Sequence, residues 1–357
     1  MAAYISTRFY ITKFKDTVRF IPRRYRVKTK WAATRPKFPA TELAMSNFDK
    51  TYKAQYGDLW PSIRAAMLSE KKYGAVINNF SSAAGLISDL EAQGCKDFLT
   101  IECSKTDFHK SSQDPTRPLE ECAEVEQIHL QQSITPGIKC LVFPKGDISR
   151  FKPARPDINR VLGYYLLDAA SVLPALALDV QLGHSVLDLC AAPGGKMLVL
   201  LQSYSVNHLW ANDSSISRIN RLDQILQSYL PKDVLDEKHI HVLTKDGRDL
   251  GPSAEKCFDR IDTLQWAGIQ ATRPGGHTVY STCSLSELQN ECVVEQAVSA
   301  AQEELGITVQ VQDLSWFAQH FSHTFCFAPH LRVGELVLPH LCSNFGPIYM
   351  CKLQRIN

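Results

Sequence analysis

The sequence predicts an α/β protein: a doubly wound, mostly parallel sheet, closed by a C-terminal antiparallel strand pair and preceded by a mixed α/β extension. Three observations predict it. Val186-Leu187-Asp188-Leu189 reads as the end of a buried strand and passes into Cys190-Ala191-Ala192-Pro193-Gly194-Gly195-Lys196, a small-residue turn that opens a helix. Beyond it, β-patterned and helix-patterned segments alternate. Acids fall at the ends of the first three strands, at Asp188, Asp213 and Asp246.

Charge is distributed unevenly along the chain. Residues 1–37 carry eleven of the 39 basic residues and one of the 37 acids, which leaves 28 basic and 36 acidic residues in the body, a net of −8. Over residues 1–26, Arg8, Lys13, Lys15, Arg19, Arg23 and Arg24 are interleaved with Phe9, Tyr10, Ile11, Phe14, Val18 and Phe20. That pattern is a mitochondrial presequence, because the continuous apolar segment of a secretory signal is missing. The competing reading is a basic arm for RNA.

Residues 27–160 read as an N-terminal extension. Residues 48–80 are helical in flavour, with Leu59, Trp60, Ile63, Met67 and Tyr73 near helical spacing. Residues 111–120 are a polar, Pro-containing loop. Phe151-Lys152-Pro153-Ala154-Arg155-Pro156 is a linker by its prolines. A second domain then spans 161–357. Residues 161–178 read as a helix packed on the fold; Asp168 and Pro174 exclude a membrane span. Eleven Cys without a CxxC argue against a disulfide framework, and no Cys/His cluster has metal-ligand spacing.

Within this domain, strand one covers 185–189 and its helix begins near Gly195. Strand two covers 208–212; its helix carries Arg218 near the start and Ile219, Leu222 and Leu226 on one face. Strand three covers 239–244 and runs into Asp246-Gly247. Strand four is short, at 257–261, and a helix follows over 263–272. Arg273-Pro274-Gly275-Gly276 is a turn, strand five covers 277–281, and a helix starts near Ser286. Residues 334–338 and 347–353 form the closing pair.

The Gly-rich turn is neither GxGxxG nor a P-loop, so its ligand is neither a dinucleotide nor a triphosphate held in the usual way. Ligands of such sheets bind outside the carboxyl ends of the strands. Asp213 lies about 20 residues past the turn, where an acid meets ribose hydroxyls. Asp246 could accept from an adenine amino group. Together the three acids point to an adenosine-type ligand. At the same rim, Tyr280-Ser281-Thr282-Cys283-Ser284 ends a central strand with a thiol. A thiolate adding to C6 of cytosine makes C5 nucleophilic enough to take a methyl group, which is covalent catalysis.

Asp188-Leu189-Cys190-Ala191-Ala192-Pro193-Gly194-Gly195-Lys196 together with Tyr280-Ser281-Thr282-Cys283-Ser284 resembles the Sun-domain family of S-adenosylmethionine-dependent RNA cytosine-5 methyltransferases, which have a Rossmann-like methyltransferase fold. The runs Lys30-Trp31-Ala32-Ala33-Thr34, Tyr56-Gly57-Asp58-Leu59-Trp60-Pro61 and Gly146-Asp147-Ile148-Ser149-Arg150-Phe151 resemble its mitochondrial ribosomal-RNA branch. The resemblance implies S-adenosyl-L-methionine as cofactor, with Gly194, Gly195 and Lys196 in its loop, Asp213 and Arg218 on the ribose side, and Asp246 and Gly247 on the adenine side. It implies Cys283 as nucleophile. It also implies small-subunit ribosomal RNA as substrate, the mitochondrial matrix as location, and a helical-repeat partner of the mitochondrial termination-factor family.

One family feature is missing. An Asp-x-Pro-Cys motif and a long substrate loop should follow strand four, yet only fifteen residues separate Asp259 from Gly275. A crossover alone takes about a dozen. Asp262 lacks the Pro and Cys that would make it the motif Asp. The expected losses are a cofactor-side carboxylate, a second thiol tied to product release, and part of strand four. Two readings stay open: a methyltransferase impaired by this gap, and a non-catalytic ribosome assembly factor.

Overall fold

A computed structural model of the chain describes residues 39–82, 85–100, 137–236, 239–250, 258–262 and 265–357. The expected presequence and the polar loop at 111–120 lie outside the described residues. The chain divides into two units, residues 1–51 and 52–357. The described part of the first is helical; all that follows concerns the second.

Helix α1 (Pro39–Tyr56) is followed by a 3-10 turn and α2 (Trp60–Leu68). Pro61 sits in the first turn of α2, where its missing N–H leaves no bond unmade. The helical expectation fails at Gly74, where β1 (Gly74–Ile77) begins, fully buried. Ala75, Val76 and Ile77 suit a strand covered on both faces, and pairing on both edges holds them there. After α2 come α3 (Leu86–Ala92), β2 (Lys96–Asp97), β3 (Cys140–Val142) and β4 (Tyr164–Leu167). With β1 they form an antiparallel sheet in the order β2-β3-β1-β4. Strand β4 lies past the expected 160/161 division yet is bonded to β1, so residues on both sides of that division share a sheet.

The single helix expected over 161–178 is instead β4, a 3-10 turn and the short α4 (Val172–Ala177). Asp168 divides them: its carboxylate accepts from Ala170 N at 3.0 Å and from Gly346 N at 2.8 Å. No helix among the described residues is long and apolar enough to cross a membrane.

The large sheet is built from β5 (His184–Asp188), β6 (Val206–Asn212), β7 (Ile240–Leu243), β8 (Phe258–Asp262), β9 (Thr272–Thr282), β10 (Val309–Gln312), β11 (Glu335–Val337) and β12 (Ile348–Arg355). Its order is β10-β12-β9-β8-β5-β6-β7, with β11 bonded to β12. Strands β5 to β9 are mutually parallel, and β12 runs antiparallel to β9. The α/β expectation therefore stands, closing pair included. Edge strand β10 was not expected: Val309-Gln310-Val311-Gln312 is too short and polar to declare itself, and it is ordered by pairing with β12.

Helices connect the parallel strands: α5 (Gly195–Gln202), α6 (Ile216–Tyr229), the short α7 (Lys232–Asp236) and α8 (Gln265–Ala271). Helix α9 (Glu291–Leu305) follows β9, and α10 (Ser315–Phe321) follows β10. Val186, Leu209, Val279 and Met350 pack with Leu173, Met197, Val199 and Leu222 in one core. Leu187, Leu189 and Ile261 pack with Phe258, Ala267 and Ala271 in another. Successive residues of β5 thus enter opposite cores, which is why the run at 186–189 is apolar on both faces.

Strand four is not cut short. Strand β8 is a whole central strand, buried at all five residues and paired with β5 and β9. Its last residue is Asp262, one past the expected end. The expected turn at 273–276 lies inside β9. Thr272 pairs with Phe258 and His277 with Arg260, so Arg273-Pro274-Gly275-Gly276 loops out of the ladder between them. Gly275 takes φ +78° there, and a Cβ on Gly276 would stand 3.0 Å from the Asp259 carbonyl oxygen.

Candidate active site

The Gly-rich turn leaves β5 at Asp188, whose buried carboxylate accepts from Cys190 N at 3.1 Å. Ala191 N donates to Asn212 O at 2.8 Å, tying the turn to the end of β6. The Asn212 side chain bonds Leu189 O and Lys245 O, which joins the ends of β5, β6 and β7 into one rim. Gly194 caps α5 with φ +113°, and a Cβ there would meet Leu222 Cδ1 at 2.7 Å. Both the backbone and the space demand glycine. We expect Gly194→Ala to destabilise the protein by about 2 kcal/mol. Chemical denaturation measures this, and an unchanged midpoint would contradict it.

Asp213, just past β6, is buried. Its Oδ1 accepts from Ser215 N at 3.0 Å, and its Oδ2 lies 3.3 Å from Arg218 Nη2. That Oδ2 accepts no hydrogen bond, although it is shut away from water. Arg218 also donates to Ala192 O, so the turn, the acid and α6 are linked. A buried carboxylate oxygen without a hydrogen bond, beside a Gly-rich helix start, fits the ribose of an adenosine-type ligand. Asp246 is placed differently. Its carboxylate is half-exposed, caps the turn at Gly247 and pairs with Arg248, with Nη2 to Oδ2 at 2.6 Å. Those hydrogen bonds hold it down at about 2. Gly247 is buried at the same strand end.

Lys196 is the centre of the arrangement. Its Nζ lies 3.1 Å from Asp262 Oδ2 and 2.6 Å from Ser281 Oγ. Burial pulls the ammonium down, but Asp262 and Asp188 outweigh it, so Lys196 stays charged above its ordinary value. Burial, and then the charge of Asp262, push Asp188 well above the usual carboxylate range. One cation therefore serves two buried carboxylates at the ends of adjacent strands.

Cys283 is exposed and follows the last residue of β9. It stands two residues past Ser281, so the Lys196–Ser281 bond brings the nucleophile strand to the turn. The structure thus links Gly194, Gly195, Lys196, Asp213 and Arg218 directly, and Cys283 through Ser281. Asp246 and Gly247 stand further along the rim, with the Asp246 carboxylate committed to Arg248. Sequence reasoning set Asp262 aside because no Pro-Cys follows it. The structure corrects this: the carboxylate counted as lost is present and sits on Lys196. Its position as a fourth strand-end acid was the signal available in the sequence. Among the described residues no group of His, Cys, Asp and Glu is arranged to hold a metal ion.

The sequence model described as 16S rRNA methyltransferase RsmB/F matches residues 175–263. The chain is 44% identical to the mouse "5-cytosine rRNA methyltransferase NSUN4", with 94% of each covered. It is 43% identical to the Xenopus tropicalis protein of that description, covering 94% of this chain and 95% of that one. It is 30% identical to the zebrafish mitochondrial "tRNA (cytosine(34)-C(5))-methyltransferase", with 90% of each covered. The mouse alignment runs over 372 positions but takes in 94% of these 357 residues, so the relative carries residues this chain lacks. Among solved structures, a Pyrococcus horikoshii methyltransferase homologue shares the fold at TM-score 0.53 and 19% identity, covering 85% of this chain and 92% of its own. NSun6 from the same organism does so at TM-score 0.55 and 17% identity, covering 87% and 97%.

Proposed function

Since the chain belongs to the family of S-adenosylmethionine-dependent RNA cytosine-5 methyltransferases, we propose that it methylates C5 of a cytosine in the small-subunit ribosomal RNA of mitochondria. The observation that carries this reading is the Lys196 bridge, which joins the Gly-rich turn to the strand that ends at Cys283.

Gly194, Gly195 and Lys196 form the cofactor loop, Asp213 and Arg218 take the ribose side, and Asp246 and Gly247 the adenine side. Bound S-adenosylmethionine supplies an electrophilic methyl group. Cys283 adds to C6 of the cytosine, which must be splayed from any stack to be reached. The addition breaks ring aromaticity and makes C5 enamine-like. Loss of the C5 proton and departure of the thiol then restore the ring. Lys196, held charged by Asp262, stabilises negative charge that develops on the pyrimidine during addition. The retained thiol, turn and Lys196–Asp262 pair favour an enzyme over a purely structural assembly factor.

The body of the protein is acidic, with a net charge of −8 over residues 38–357. Phosphate contacts need cations, so RNA binding calls for a basic surface supplied from outside the body. A helical-repeat partner of the mitochondrial termination-factor family would provide it. Residues 1–26 direct the chain to the matrix and are removed, leaving 27–160 as the partner- and RNA-facing extension of the domain at 161–357. Incubation with methyl-tritiated cofactor and small-subunit ribosomal RNA, with and without that partner, tests the reading. Label in 5-methylcytosine is expected, and its absence under both conditions would refute catalysis.

A further inference from the structure

Cys283 stands on a turn outside the sheet, so something other than the strand ladder must hold it. One side of the turn is tied down by its own neighbours. Thr282 Oγ1 donates to Asn290 Oδ1 at 2.6 Å, Asn290 Nδ2 donates to Ser284 O at 2.9 Å, and Tyr280 OH donates to Gln289 O at 2.8 Å. The other side is held from far away in the chain. The carbonyl oxygen of Leu285, two residues past Cys283, accepts from Tyr56 OH at 2.6 Å and from Gln55 Nε2 at 2.9 Å. Both donors lie at the end of α1, about 230 residues earlier, and Tyr56 opens the run Tyr56-Gly57-Asp58-Leu59-Trp60-Pro61.

We propose that Tyr56, seconded by Gln55, is a positioning residue: it fixes the turn that carries Cys283 through the Leu285 carbonyl. The inference rests on Cys283 being the nucleophile. The hydroxyl is well aimed. The Tyr56 ring stacks on Tyr52, with centroids 6.2 Å apart, and Tyr52 stacks on the buried Trp60 at 5.3 Å. Gln55 Nε2 also bonds Tyr56 OH at 3.0 Å, so the two donors hold each other as well as the carbonyl. Burial first, then Tyr52, Glu291 and Glu287, push the phenol up, which keeps it a donor at any working pH. The Leu285 side chain is buried, so the turn is anchored by packing as well as by its carbonyl. A carbonyl oxygen has two lone pairs, and here both are taken by side chains. Removing one donor loosens the segment next to the thiol, and a displacement of about 1 Å at a reacting group lowers rate steeply.

Tyr56→Phe removes the hydroxyl and keeps the ring. It is expected to lower kcat about tenfold, in line with the loss of one hydrogen bond. The KM for cofactor should stay put, because Gly194 and Asp213 are untouched. Hydrogen exchange should speed up over residues 284–286 and stay unchanged in α5. Tyr56→Phe with Gln55→Leu should exceed either single change on both readouts. Unchanged exchange at 284–286, or a rise in cofactor KM equal to the fall in kcat, would overturn the proposal. Cys283→Ala is run in parallel. If it keeps full turnover, the nucleophile assignment fails and takes the positioning role with it. If it is inactive while Tyr56→Phe matches the parent protein, only the positioning role fails.

Discussion

Replacing Cys283 by Ala is expected to reduce methyl transfer on the order of 10⁴-fold or more, since removal of a covalent nucleophile leaves only binding and orientation. The loss should fall on kcat. Cofactor affinity should persist, because the turn at Gly194, the Asp213–Arg218 pair and Lys196 do not depend on the thiol. Stability should barely move: Cys283 is exposed, and surface changes are usually within about 0.5 kcal/mol. Cofactor titration and thermal melting beside the tritium assay separate these effects. A variant that still methylates would place the nucleophile elsewhere, and Cys190, exposed on the Gly-rich turn, would be the next thiol to replace.

The second large effect is expected at Lys196. Its ammonium is the countercharge for Asp262 at 3.1 Å and supports Asp188 beside it. Lys196→Met keeps the stem and removes the charge, leaving two buried carboxylates facing each other. Removing one partner of a buried pair is expected to cost about 3 kcal/mol. Transfer activity should be lost as well, because Lys196 also holds Ser281 on the nucleophile strand. The sign of the pH dependence follows from Asp188, whose carboxyl is held above its ordinary value by burial and by Asp262. The folded protein then binds that proton more tightly than the unfolded chain. Stability is fullest below the ordinary carboxylate range and declines as pH rises through the raised value. In Lys196→Met the opposing cation is gone, so the decline should be steeper. Urea denaturation near pH 5.5 and near pH 8 reads it. Equal midpoints for the variant at both pH values would contradict the account.

Much of the fold was legible because its signals are local. Val186-Leu187 between polar flanks, the Pro-Gly-Gly turn, and the helical spacing of Ile219, Leu222 and Leu226 each report a period or a backbone constraint within a few residues. The acids at 188, 213 and 246 were legible for the same reason, each standing one turn past a strand. Where the reading failed, distant partners had overridden local preference. Residues 161–178 look helical in isolation, yet Tyr164–Leu167 is a strand because β1 offers it an edge. Residues 309–312 have no strand signature and are ordered by β12.

The sequence by itself determined the strand–turn–helix at 186–196, the alternation that builds a parallel sheet, the position of the thiol at the end of β9, and the glycine at 194. All follow from constraints between near neighbours. Only the tertiary structure decided that Asp262 belongs to Lys196, that Asp246 turns to Arg248, and that Tyr56 and Gln55 hold the segment beside Cys283. The physical reason is that hydrogen bonds and ion pairs act over about 3 Å whatever the separation along the chain. Lys196 and Asp262 are 66 residues apart, and Tyr56 and Leu285 are 229, so folding alone brings them within reach.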